Sequence, residues 1–157
     1  MAAVFLRPGC MGSGCGQLDD RYLQRVNRQG DSTEAVAQVA ALADLQVKAR
    51  LRTDGTIEQL VAQLQQGRPV PVGWLHKGPV TAPRGGGHWS LVIGWDPSSR
   101  QLLMHDPNGE ADLVGGGYVR TTIGSGKAQR YSERNWGTRW MVEGPGSGWW
   151  LELGGQS

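Results

Sequence analysis

Two side chains in this sequence are spaced to handle a proton between them. His88 follows three glycines, Gly85 to Gly87, and opens an apolar stretch that runs to Trp95. Asp106 directly follows a second stretch, Gln101 to His105, and precedes Pro107. The residues between the stretches, Asp96-Pro97-Ser98-Ser99-Arg100, suit a tight hairpin turn. In a hairpin the start of one strand lies beside the end of its partner. Two strands of about seven residues plus a turn therefore place His88 and Asp106 at the same sheet end. An imidazole held by a carboxylate keeps one tautomer and a stabilised imidazolium form. It can take a proton from a thiol and return it to a departing amine. The same pair could also be a structural hydrogen bond and nothing more. Gly86 and Gly87 would let a substrate backbone approach the imidazole, and Trp89 would either wall that pocket or join the core. His105 alternates to the opposite face from Met104 and Asp106. His76 falls in a loop and is expected to be exposed.

The chemistry needs a nucleophile, and the chain offers two cysteines, Cys10 and Cys15, joined by a glycine-rich loop. They could form a disulfide or remain two free thiols. With no second ligand pair, and no metal spacing among His76, His88 and His105, neither a metal nor another cofactor is expected.

The elements that must position these groups divide in two. The first part reads as helical. Met1 to Leu6 resembles the last turns of an apolar helix stopped by Arg7-Pro8-Gly9. Asp19-Asp20 caps a helix from Arg21 to Gln29. Asp31 or Ser32 caps another, whose face is Val36, Val39, Ala40 and Ala43. Gln46 to Arg52 alternates as an extended link or strand. The clearest helix is Ile57 to Gln66, with Thr56 and Gln59 as a capping box and Gly67 as its stop. Strands are then expected at Pro69–Leu75, His88–Trp95 and Gln101–His105, and late ones at Arg139–Glu143 and Trp149–Leu153. Leu102-Leu103-Met104 suits a strand buried on both faces. A long loop fills Pro107 to Gly137. Helices followed by an antiparallel sheet imply an α+β fold in a single domain spanning 1–157.

Composition narrows the functional classes. The 157 residues carry 16 basic and 14 acidic side chains, a net charge of +2 with no basic stripe, so nucleic acid is not a favoured partner. No apolar run is long enough for a membrane span, the N-terminus lacks a signal-peptide pattern, and a soluble chain of unassigned compartment is expected. The chain has 25 glycines, and seven Trp against one Phe. The glycine clusters serve either tight turns or loops around a cleft. The late Trp residues either fill a core short of Phe or form an interface.

Three stretches carry a family resemblance: Gly67-Arg68-Pro69-Val70-Pro71-Val72, Gly87-His88-Trp89-Ser90-Leu91-Val92-Ile93-Gly94-Trp95-Asp96, and His105-Asp106-Pro107-Asn108-Gly109-Glu110. In order and spacing they resemble the bacteriocin leader-cleaving, or double-glycine, peptidases, cysteine peptidase family thirty-nine. Bacteriophage-encoded relatives look closer still, sharing the Asp20 to Leu23 helix and the Trp-rich end from Trp136 to Trp150. The resemblance implies a papain-like, half-and-half fold, with His88 as general base and Asp106 as its orienting partner. It implies a peptide or peptidoglycan substrate, and virion proteins as partners in the phage case. It also locates a problem. The family's nucleophilic cysteine opens the first helix, preceded by an oxyanion-binding glutamine. Met1 to Leu6 matches only the end of that helix, so both positions are expected before Met1. A descendant that lost the nucleophile, serving as a binding or tail module, is the next reading. Takeover by Cys15, with Gln17 as oxyanion donor, is the third.

Overall fold

The computed structural model describes Val26 and residues 34–154. The expected Met1–Leu6 helix end, Cys10, Cys15, Gln17 and nearly all of the Arg21–Gln29 helix lie outside the described residues; Val26 is helical. The chain forms two compact units, Met1–Leu51 with Leu151–Ser157, and Arg52–Trp150.

In the smaller unit, helix α1 spans Glu34–Asp44. Its buried residues are Ala35, Ala37, Gln38, Ala41 and Leu42, followed by Leu45 and Val47. This corrects the expected stripe, because Val36 is 51% exposed and Ala43 is exposed as well. Gln38, Ala41, Leu42 and Leu45 also repeat at helical spacing. That face carries the two leucines, the larger apolar area, and so it turns inward.

The larger unit is built on an antiparallel sheet. Strand β1 (Ala49–Gly55), of which residues 52–55 belong to this unit, leads through Thr56 into α2 (Ile57–Gln65). The expected capping box is present: Gln59 N–H donates to Thr56 Oγ1, and Thr56 N–H donates to Gln59 Oε1. Strands β2 (Val70–Trp74), β3 (His88–Asp96) and β4 (Gln101–His105) follow. The region expected as one long loop instead holds β5 (Glu110–Ala111), β6 (Tyr118–Arg120), β7 (Gln129–Ser132) and the start of α3 (Glu133–Trp140). Strand β8 is Gly148–Leu153. The central sheet runs β1-β8-β2-β3-β4-β7, and β5 pairs with β6 separately.

The late strand expected at Arg139–Glu143 is absent: Arg139 and Trp140 end α3, and 141–143 form its C-cap and a turn. Ser132 caps the start of α3 by accepting from Asn135 N–H, and Glu133 and Arg139 complement its two ends. Gly137 in mid-helix hides the signal, but Trp136 and Trp140 stand four residues apart and stack at 5.0 Å. Both are fully buried, as is Trp150, with Leu60, Val70, Val72, Val92, Leu102 and Met104. Burying each such side chain contributes about 1.5–3 kcal/mol. These Trp residues fill a core nearly devoid of Phe, while Trp149 stays 50% exposed. Leu103, expected to be buried with its neighbours, is only half-buried and packs toward Gly94.

Candidate active site

The β2–β3 ladder pairs Trp74 with His88, Val72 with Ser90 and Val70 with Val92. Alternation therefore puts His88 and Ser90 on the core face with Val92. The β3–β4 ladder pairs Leu91 with His105 and Val92 with Met104, and a bulge between Val92 and Gly94 shifts the register toward the turn. Continued past His105, the ladder brings Asp106 beside Ser90 on that same face, diagonal to His88.

The two side chains meet. His88 Nε2 lies 2.7 Å from Asp106 Oδ1, with the side chains 8% and 0% exposed. An ionised carboxylate only accepts, so Nε2 carries a proton, and in the neutral imidazole Nδ1 then presents its lone pair. Asp106 is held further by Asn108 N–H, at 2.9 Å from Oδ1, and by the Tyr118 hydroxyl, at 3.4 Å and 3.5 Å from its two oxygens. Asn108 Nδ2 lies 3.4 Å from His88 Nδ1.

Aromatic rings pack around the imidazole. Trp74, His76 and Tyr118 have ring centroids 5.6, 5.3 and 6.0 Å from His88. The Trp74 indole N–H donates to Ser90 Oγ, which fixes the ring. Burial, and then the nearby Asp106 carboxylate, raise the Tyr118 phenol well above its ordinary value, so it remains a donor. Burial raises the Tyr131 phenol to about 12; its oxygen accepts from Ala111 N–H.

His76 departs from expectation. It does leave β2 in a loop, but it is half-buried, and its Nδ1 is shielded from water without a hydrogen-bond partner. Burial, followed by the neighbouring His88, lowers its affinity for a proton. The loop is braced by Arg139, which is fully buried. Its guanidinium donates to four backbone carbonyls: Leu75, Lys77 and Gly78 on the His76 loop, and Leu113 between β5 and β6. Gly117 N–H donates to His76 O, tying the Tyr118 side of the site to the same brace.

Of the other residues singled out in the sequence, Gly86 and Gly87 lie beside His88 on an exposed loop, with no atom within 4 Å of where a Cβ would stand. Trp89 lies on the opposite sheet face, its ring over Gly73. It therefore does not wall a pocket on the His88 face, because adjacent strand residues point apart. His105 turns away as expected and accepts from Ala128 N–H. Asn108, Tyr118, Trp74, His76 and Arg139 are the residues that sequence reasoning missed. Asn108, inside the Asp-Pro-Asn-Gly turn, was the one a local reading could have found, since a turn Asn sits close to the preceding Asp. Among the described residues no group of three or more His, Cys, Asp or Glu could hold a metal ion, and no helix is long and apolar enough to cross a membrane.

No curated protein matches the sequence. Among solved structures, the chain is similar to the crystal structure of the peptidase domain of Streptococcus ComA, a bi-functional ABC transporter involved in a quorum-sensing pathway. The TM-score is 0.56 and the identity 17%, over 98% of this chain and 88% of that one. The likeness gives the fold, an α+β papain-like arrangement of helices and a large antiparallel sheet. The model of the Peptidase C39-like family matches residues 15–137, most of the chain and all of the His88–Asp106 site, and the chain belongs to that family.

Proposed function

We propose that the chain is a cysteine-peptidase-like hydrolase of amide bonds, acting on a peptide or on the peptide part of a cell wall. The observation that carries this reading is the buried 2.7 Å contact between His88 Nε2 and Asp106, which leaves Nδ1 as the available base. In this reading Asp106 orients the imidazole and stabilises its charged form. His88 takes the thiol proton on Nδ1. Sulfur attacks the carbonyl carbon, and the departing amine receives the proton from Nδ1 as the C–N bond breaks. Water then hydrolyses the thioester. Gly86 and Gly87 leave room for the substrate backbone. Residues 1–157 serve as one peptidase-like domain; Cys15, the third of the readings drawn from the sequence, is the candidate nucleophile that the chain itself offers, and without a working thiol the domain is inactive.

The test is alkylation of the full chain by iodoacetamide, with the labelled cysteine located by mass spectrometry. Fast labelling of Cys15, lost in His88→Ala, supports the reading. Labelling of Cys10 and Cys15 at the rate of an ordinary free thiol, alike in both proteins, would sink it. One observation favours a second reading: the Asn108 amide already faces the Nδ1 lone pair that a thiol would need. Under it the fold serves as a non-catalytic binding module, such as a bacteriophage tail component contacting other virion proteins.

A further inference from the structure

Asn108 stands where the chemistry would occur. Nδ1 of His88 is an acceptor because Nε2–H is committed to Asp106. The atom turned toward it must therefore be a donor, which makes it the amide nitrogen of Asn108, at 3.4 Å. The residue itself is exposed, so the amide sits at the mouth of the site rather than in its packing.

Its backbone is not free to drift. Asn108 N–H is fixed on Asp106 Oδ1 at 2.9 Å, and Gly109 N–H reaches Asp106 O. Behind the turn, a Cβ on Gly126 would run into the Asp106 carbonyl, and one on Gly109 into the Arg120 carbonyl. Asp106 N–H also donates to Gly126 O. The turn is thus wedged between two backbone segments. The Asn108 side chain also hydrogen-bonds the Tyr118 hydroxyl, so its amide is placed between Tyr118 and Nδ1, and rotation about its side-chain torsions is what would move it off Nδ1.

A nucleophile using Nδ1 must come within hydrogen-bond reach of it. That nucleophile, and the carbonyl it attacks, then share a space of a few ångströms with a placed N–H donor. We propose that Asn108 is a further catalytic residue of this site. Its carboxamide caps the free Nδ1 of His88 at rest and donates to the carbonyl oxygen of the substrate once a thiol displaces it. This rests on the hydrolase reading above. In the acylation step the thiol proton passes to Nδ1 and a sulfur–carbon bond forms. The carbonyl π electrons move to oxygen, where Nδ2–H of Asn108 meets the developing negative charge. When the tetrahedral species collapses, those electrons return and the leaving group departs, an amine taking its proton from His88.

The proposal separates two reactions of one thiol. Alkylation by iodoacetamide needs the base but develops no oxyanion; acylation by p-nitrophenyl acetate develops one. Both rates are measured on the full chain for wild type, Asn108→Ala and the near-isosteric Asn108→Asp, with thermal melts to confirm folding. The expected result is acylation slowed roughly 10²–10³-fold in both variants, the usual loss for one oxyanion donor, with alkylation of Asn108→Ala unchanged or faster. Acylation that is unchanged or faster in Asn108→Ala overturns the inference, since the amide would then be only a plug. A wild-type chain without any His88-dependent thiol reactivity overturns the hydrolase reading, and this inference with it.

Discussion

The two ends of the β3–β4 hairpin each carry an aspartate, and the two residues behave differently. At the turn end, Asp96 Oδ1 accepts from Ser98 N–H, Ser98 Oγ and Ser99 N–H, and Oδ2 accepts from Ser99 Oγ. These partners are within three residues, Arg130 of β7 adds an ion pair at 3.6 Å to Oδ2, the group is partly exposed, and its pKa is lowered to about 2, chiefly by the Ser98 and Ser99 hydroxyls. At the open end, Asp106 is fully buried and draws on His88, 18 residues away, and Tyr118, 12 residues away. A partly exposed carboxylate is satisfied chiefly by its own turn. A buried one needs several elements to arrive together, and that dependence makes the open end a site, where charge is shielded from water and held in one orientation.

The largest effect is expected from neutralising the buried carboxylate. Asp106→Asn keeps the volume but no longer fixes the His88 tautomer. His88-dependent acylation by p-nitrophenyl acetate should fall on the order of 10³–10⁴-fold, by analogy with the serine-protease triad, with the circular dichroism spectrum retained. An unaffected rate would make Asp106 merely structural. Next is the brace. Arg139→Met removes the donors to four partly buried backbone carbonyls and should cost about 3 kcal/mol in chemical denaturation. Arg139→Lys should recover only part of this, because an ammonium cannot reproduce the planar fork. Full recovery would show that charge rather than geometry holds the loop.

A third test uses pH. His76 binds a proton less readily when folded than its ordinary 6.5, mainly through burial. The unfolded chain then takes up the proton first, so stability is held above pH 6.5 and lost as pH falls below it. His76→Phe should flatten the fall in melting temperature between about pH 7 and pH 5. An unchanged slope would move that sensitivity to His105, whose proton affinity burial also lowers. The smallest effect belongs to the turn. Asp96 has a depressed pKa, so its stabilisation is present above its ordinary 3.8 and is lost as pH falls toward 2. Asp96→Asn should remove that acid dependence, with little change at neutral pH and none in thiol acylation. A loss of acylation there would join the two ends that the comparison separates.

Local patterns were legible wherever the partner of a residue is close in sequence. The Thr56–Gln59 capping box, β4 from Gln101 to His105 and the serine-rich turn follow from side chains a few residues apart. Helix α3 was missed because its apolar signal is two tryptophans around a glycine. Short strands β5 and β6 were missed because two or three residues carry no period. The buried face of α1 was misread because two helical registers compete there, and burial of the larger apolar side chains selected the other one.

What the sequence determined by itself is the end of the sheet on which His88 and Asp106 meet, since period-two alternation and a tight turn leave few alternatives. It could not determine what surrounds them. The Val92–Gly94 bulge sets the diagonal approach, Arg139 ties two distant loops together, and Tyr118 and His76 close on the imidazole from separate connections. Those contacts span tens of residues and have no local signature. Their energy comes from burial that exists only once the chain has folded, so the tertiary structure alone decided that a pair of polar strand ends became an enclosed, oriented imidazole.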